Sequence, residues 1–218
     1  MVKIKKTSSN FSKPIRWFWM MFLALILSGS SIFLLASIGL FGEMPDHTAL
    51  ENPRTNLATE IISSDGKTLG KFYFEDNRTP VAFSDLPKHL VDALIATEDV
   101  RYFKHAGIDV RGTFRAFIKL GKGGGASTIS QQLAKQLFHG EGSRNTMGRV
   151  IQKIKEWVIA TRLERQYTKE EIIAQYFNIY DFNNFADGIR SASRIYFGKE
   201  PKDLSINESA MLVGMFKN

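Results

Sequence analysis

A glutamate set within the apolar stripe of a helix is the most chemically suggestive feature of the sequence. Stepping about 100° per residue from Leu90 brings Leu94, Val91, Tyr102 and Ile95 onto one face, with Glu98 in its middle and Asp99 at its edge. A carboxylate facing the interior is rarely left without a partner, and burial favours its neutral form, which suits a general base working near neutral pH. The plainer alternative is a core ion pair with Arg or Lys. A second feature is the run from Gly123 to Gln132, a glycine loop entering a helix capped by Thr128 with Gln131 at the capping-box position. Free N–H groups at such a start attract anions, and Lys135 adds positive charge within two turns. A third is Glu156 beside Lys153; pairing with that lysine on a solvated helix surface explains it at least as well as chemistry does. Gly121-x-Gly123-x-x-Ala126 imitates a dinucleotide fingerprint, but no strand precedes it.

The elements that must hold these residues are mostly helical. Glu60 to Ile62 and Leu69 to Phe74 flank an Asp65-Gly66 turn and predict a β-hairpin. From Ser84, an expected N-cap with Pro87 in the first turn, a helical period runs to about Lys104, before Gly107 stops it. Further helices are expected near Val110–Leu120, Thr128–Phe138, Met147–Gln166, Lys169–Tyr180, Asp187–Tyr196 and Asn207–Met215. Thr168 with Glu171 forms a capping box that fixes one start. The single His105 before Gly107 suggests closure of a helix C-terminus.

Composition narrows the classes. With no cysteine, thiolate metal sites, cysteine nucleophiles and disulfides are excluded. Lys3, Lys5, Lys6, Lys13 and Arg16 precede the first acidic residue, Glu43, and the remaining 24 basic residues nearly balance the 22 Asp and Glu. That asymmetry argues against nucleic acid and for a basic tail, residues 1–16, facing anionic lipid. No charge interrupts Trp17 to Gly42, a run long enough to cross about 30 Å of hydrocarbon. A cleaved signal fits less well, since Ala36-Ser37-Ile38 is a poor cleavage site. The basic flank places the N-terminus in the cytoplasm and everything beyond Glu43 outside. Residues 43–58, with Pro45 and Pro53, read as a juxtamembrane linker, and residues 59–218 as the folded domain. Arg111, Arg115, Lys119 and Lys122 interleave with Phe114, Phe117, Ile118 and Leu120, an amphipathic basic segment able to rest on a bilayer.

Five segments resemble, in order, the motifs of the peptidoglycan glycosyltransferase family, the membrane-anchored module of class A penicillin-binding proteins and of monofunctional transglycosylases. Glu98-Asp99-Val100-Arg101-Tyr102-Phe103-Lys104-His105-Ala106-Gly107 is similar to Glu-Asp-x-x-Phe-x-x-His-x-Gly, and Gly125-Ala126-Ser127-Thr128-Ile129-Ser130-Gln131-Gln132 to Gly-x-Ser-Thr-Ile-x-Gln-Gln. Gln152-Lys153-Ile154-Lys155-Glu156 resembles Arg-Lys-x-x-Glu with Gln152 in place of the arginine. Lys169 to Asn178 resembles the motif ending in Tyr-Leu-Asn, and Arg190 to Lys199 the segment that follows it.

The resemblance implies a mainly α, lysozyme-like domain that polymerises lipid II, joining a lipid-linked glycan chain to the 4-hydroxyl of the next unit and releasing undecaprenyl diphosphate. In it Glu98 is the expected base and Glu156 a second carboxylate near the donor diphosphate, a candidate ligand for a divalent cation such as Mg or Mn. Asp99, Ser127, Thr128, Gln131, Gln132 and Asn178 are the expected substrate contacts. A diphosphate leaves without an acid but needs cations, and Lys135, Lys153 and either Arg149 or Arg144 fit that demand. The implied location is the bacterial cytoplasmic membrane, with a single pass and a place in a cell-wall synthesis complex. The helix ending beside Asn218 is compatible with a longer chain in which a transpeptidase domain follows; Ser64-x-x-Lys67 lies in the hairpin turn and is no sign of one here. A lytic enzyme that cleaves glycan strands and a scaffold with a decayed site are the competing readings.

Overall fold

The computed structural model describes residues 12–42, 44–45, 59–66, 68–72, 78–118, 125, 127–138 and 145–217. The chain divides into two units, Met1–Met44 and Pro45–Asn218. In the first, α1 (Ser12–Ser37) is, among the described residues, the one helix long and apolar enough to cross a membrane. The basic tail before Ser12 and nearly all of the expected linker lie outside the described residues.

The second unit begins with the hairpin of β1 (Thr59–Ile62) and β2 (Thr68–Phe72), antiparallel, with a register shift between Ile61 and Ile62. Gly66, at φ +78°, donates its N–H to Ser63 O at 2.9 Å, so the Asp-Gly turn falls where its residues predict. Among the described residues seven helices follow: α2 (Lys88–Glu98), α3 (Val110–Ile118), α4 (Ile129–Phe138), α5 (Thr146–Gln166), α6 (Lys169–Ile179), α7 (Gly188–Phe197) and α8 (Ile206–Gly214). Short 3₁₀ turns cover Phe83–Asp85, Tyr102–Lys104, Pro201–Asp203 and Met215–Lys217.

The core gathers around α4, which packs against α5 and α6, while α2 packs against α8. Ile129, Leu133, Ile159, Leu163, Ile172, Tyr176 and Phe177 are fully buried there. Taking each Ile or Leu of that set out of water stabilises the fold by about 1.5–3 kcal/mol before entropy is counted. The capping box at Thr168 forms as its spacing predicts. A second one, Ser205 with Glu208, starts α8 at Ile206, one residue before the expected boundary.

One expected helix is broken. Instead of a run from Ser84 to Lys104, a 3₁₀ turn at Phe83–Asp85 gives way to extended Leu86, and Pro87 rather than Ser84 is the N-cap of α2. The residue before a proline is pushed out of the helical region, so Leu86 cannot continue the turn into α2. At the other end Asp99 leaves the helix at φ −153°, ψ 75°, because its carboxylate turns inward to tertiary partners.

Between α6 and α7, Asn183, Asn184 and Phe185 occupy the left-handed region in succession, at φ 64°, 52° and 61°. Asn tolerates that conformation; Phe does not, and Phe185 is 88% exposed, so little packing offsets the strain. Phe185→Gly is therefore expected to stabilise the fold by about 0.5–1 kcal/mol, strain relief exceeding the added freedom of the unfolded chain. Thermal unfolding of the two proteins side by side checks it; a lower Tm for the glycine variant would refute the strain account.

Candidate functional site

Glu98 is the last residue of α2, and its position there decides its surroundings. The apolar stripe below it, Leu90, Val91 and Leu94, is buried as the helical period predicts. Glu98 itself is only partly buried and lines a cleft of ≈ 200 Å³ together with Asp99, Arg101, Arg115, Ser127 and Thr128. The expectation of an interior-facing Glu98 with Asp99 at the edge is thus reversed: Asp99 is the buried acid, 6% exposed. Stepping at 100° per residue fails at Asp99 because the helix has already ended.

Among the described residues Glu98 has no Arg or Lys partner. Its Oε2 accepts from Gln132 Nε2 at 2.8 Å, and Gln132 Oε1 in turn accepts from the Tyr176 hydroxyl at 2.8 Å. Burial, with the charge of Glu98 adding to it, pushes the Tyr176 phenol well above its ordinary range, so its proton stays in place. Burial likewise pushes the Asp109 carboxyl up, but the Arg101 guanidinium and the Gly112 N–H outweigh it and hold that carboxyl below its ordinary range. Arg101 donates to Asp109 through Nε at 3.1 Å and through Nη2, and the same carboxylate caps α3 by accepting from Gly112 N at 3.1 Å.

The start of α4 is filled rather than open. Asp99 Oδ2 accepts from Ile129 N at 3.3 Å, so the anion attracted to these N–H groups is a side chain of the protein. His105 Nε2 lies 3.0 Å from the same oxygen, with both side chains buried. His105 therefore does not close a helix C-terminus as its place before Gly107 suggested; it holds Asp99. Thr128 Oγ1 accepts from Gln131 N at 3.2 Å and donates to Gly107 O at 2.7 Å. Gln131 does not complete the expected capping box, because its Nε2 goes to Gly107 O at 3.0 Å.

The third motif joins the second through one ammonium. Lys153 Nζ donates to Ser127 Oγ at 2.7 Å and to Glu156 Oε2 at 3.0 Å. The Glu156–Lys153 pair anticipated on a solvated surface does form, but with Glu156 6% exposed. Among the described residues no group of three or more His, Cys, Asp or Glu could hold a metal ion. Glu156 is the charge partner of the Lys153 ammonium.

The other expected site residues scatter. Lys135 is exposed on α4, and Arg149 is exposed at the start of α5. Asn178 uses both ends of its amide on Val81, accepting from its N–H and donating to its carbonyl, each at 2.9 Å, which pins the chain entering α2 to α6. Arg144 and residues 119–124, with Gly121, Lys122, Gly123 and Gly124, lie outside the described residues. Sequence reasoning assigned no site role to Arg101 or Asp109; the signal available for Asp109 was its place as N-cap of α3, two residues beyond Gly107.

Residues 65–218 match the family model for transglycosylases. Penicillin-binding protein 1A of Pseudomonas aeruginosa is 36% identical over 207 residues, 93% of this chain and 24% of the relative. Penicillin-binding protein 1A of Escherichia coli (strain K12) is 37% identical over 179 residues, 80% of this chain and 20% of the relative. Penicillin-binding protein 1F of Bacillus subtilis is 36% identical over 202 residues, 90% of this chain and 26% of the relative. The chain thus spans a fifth to a quarter of the length of these relatives.

Proposed function

The chain belongs to the transglycosylase family, and on that premise we propose that it is a peptidoglycan glycosyltransferase that polymerises lipid II in cell-wall synthesis. The 4-hydroxyl of lipid II attacks the anomeric carbon of the lipid-linked glycan, the bond to the diphosphate oxygen breaks, and Glu98 takes the hydroxyl proton. The observation that carries this reading is the cleft itself, which Glu98 and Ser127 both line, with Ser127 held from outside the lining by Lys153. A proton acceptor thus shares the cleft with a hydroxyl fixed by a positive charge of the kind a departing diphosphate needs. Thr128 Oγ1, Gln131 Nε2 and the Asn178 amide all bond to backbone, which fixes the segments around the cleft.

Membrane attachment follows from the substrate. α1 crosses the cytoplasmic membrane once, leaving the catalytic domain outside. On α3, Val110, Phe114 and Ile118 are exposed beside exposed Arg111 and Arg115, a face suited to anionic lipid. Incubating the purified chain with labelled lipid II in detergent is expected to give glycan polymer, and none when moenomycin is present. Short muropeptides released from sacculi without polymer from lipid II would establish a lytic enzyme instead, and no product from either substrate would leave the scaffold reading.

A further inference from the structure

We infer that Tyr176 is a positioning residue for Glu98, acting through the side-chain amide of Gln132, which its buried phenol holds in a single orientation. The inference rests on the reading of Glu98 as the base. A carboxylate that is to accept a proton offers only acceptor oxygens, so Gln132 serves it only by presenting its NH2 end. The amide has no intrinsic preference: rotation by a half-turn would set Oε1 against the carboxylate instead. What distinguishes the two orientations is the hydroxyl at the far side, 2.8 Å from Gln132 Oε1. Tyr176 is fully buried, and among the described residues Gln132 is the acceptor its O–H meets. Turning the amide would leave that O–H facing a donor with nowhere to point, and would simultaneously place two acceptors face to face at Glu98. Both ends of the chain therefore favour the same arrangement. It ties Oε2 of Glu98 to α4 and leaves the other carboxylate oxygen to the acceptor hydroxyl.

The relay crosses three helices, α6, α4 and α2, and each link comes from a different motif: Tyr176 from the fourth, Gln132 from the second, Glu98 from the first. The ring of Tyr176 packs separately against Phe177 and Phe216, at centroid distances of 6.4 and 5.2 Å, so its hydroxyl can be removed while the packing stays. Tyr176→Phe in the full chain is expected to lower Tm only by the loss of one buried hydrogen bond and to keep the wild-type KM for lipid II, while lowering kcat by about tenfold at temperatures where the chain stays folded. Gln132→Met, which removes the amide at similar volume, should lower kcat at least as far, and adding Tyr176→Phe to it should cause no further loss. A merely structural tyrosine would lower Tm without lowering kcat of the folded chain, or would cost the same factor in either background. Wild-type kcat in Tyr176→Phe, or multiplying losses in the double variant, would overturn the inference alone. A wild-type chain that makes no polymer from lipid II would overturn the glycosyltransferase reading and this inference with it.

Discussion

Replacing Glu98 by Gln is expected to reduce the rate of polymer formation from lipid II by about 10²–10⁴, the usual contribution of a positioned proton acceptor. The substitution is nearly isosteric, and the amide oxygen of the new residue can still accept from Gln132 Nε2, so the contact now measured at 2.8 Å has a substitute and Tm should hold. The adjacent acid should behave in the opposite way. Asp99 is buried between His105 and the first N–H of α4, so Asp99→Leu removes a buried partner from both and should lower stability before any effect on turnover can be read. Initial rates with labelled lipid II, measured alongside unfolding of both variants, separate the two roles. A Glu98→Gln protein retaining more than a tenth of the wild-type rate would remove this carboxylate from the chemical step.

The features that could be read along the chain are those set by neighbours a few residues away. The Thr168 capping box, the Asp65-Gly66 turn and the boundaries of α4 to α7 depend on spacings of three or four residues, and they fall within one or two residues of where the sequence places them. Ser205 and Glu208 follow the same capping rule as Thr168 and Glu171 and were equally legible. What escaped is what distant segments decide. Asp99 ends α2 because His105 and Ile129 claim its carboxylate, and Ile129 stands 30 residues away. Gln132 reaches Glu98 across 34 residues, and Asn178 reaches Val81 across 97; no periodicity in either segment announces these contacts. The motif resemblance picks out residues of several segments but does not say which of them face the cleft. Glu98, Ser127 and Thr128 line the cleft, whereas Gln131 and His105 hold lining residues through Gly107 and Asp99.

That supporting layer converges on Gly107, and Gly107→Ala should be a strongly damaging single-methyl change. Gly107 sits at φ +85°, a region that costs an alanine about 1 kcal/mol. A Cβ there would lie 2.9 Å from the carbonyl carbon and oxygen of Ala160 and 3.1 Å from Thr161 N. All three are backbone atoms within α5, so no side chain can swing aside, and forced overpacking of this kind adds about 1–3 kcal/mol. The combined loss of about 2–4 kcal/mol corresponds to a fall in Tm of roughly 5–15 °C for a domain of this size. Because the Gly107 carbonyl also receives Thr128 Oγ1 and Gln131 Nε2, any shift of α5 away from it loosens the first turn of α4, the turn that carries Gln132 to Glu98. Polymerisation should therefore fall together with Tm. Ala160→Gly offers the decisive comparison: it removes a methyl that is not part of the clash and weakens α5, so combined with Gly107→Ala it should lower Tm further. Recovery of Tm in that double variant would mean that the strain at Gly107 comes from side-chain crowding and not from the close approach of two backbones.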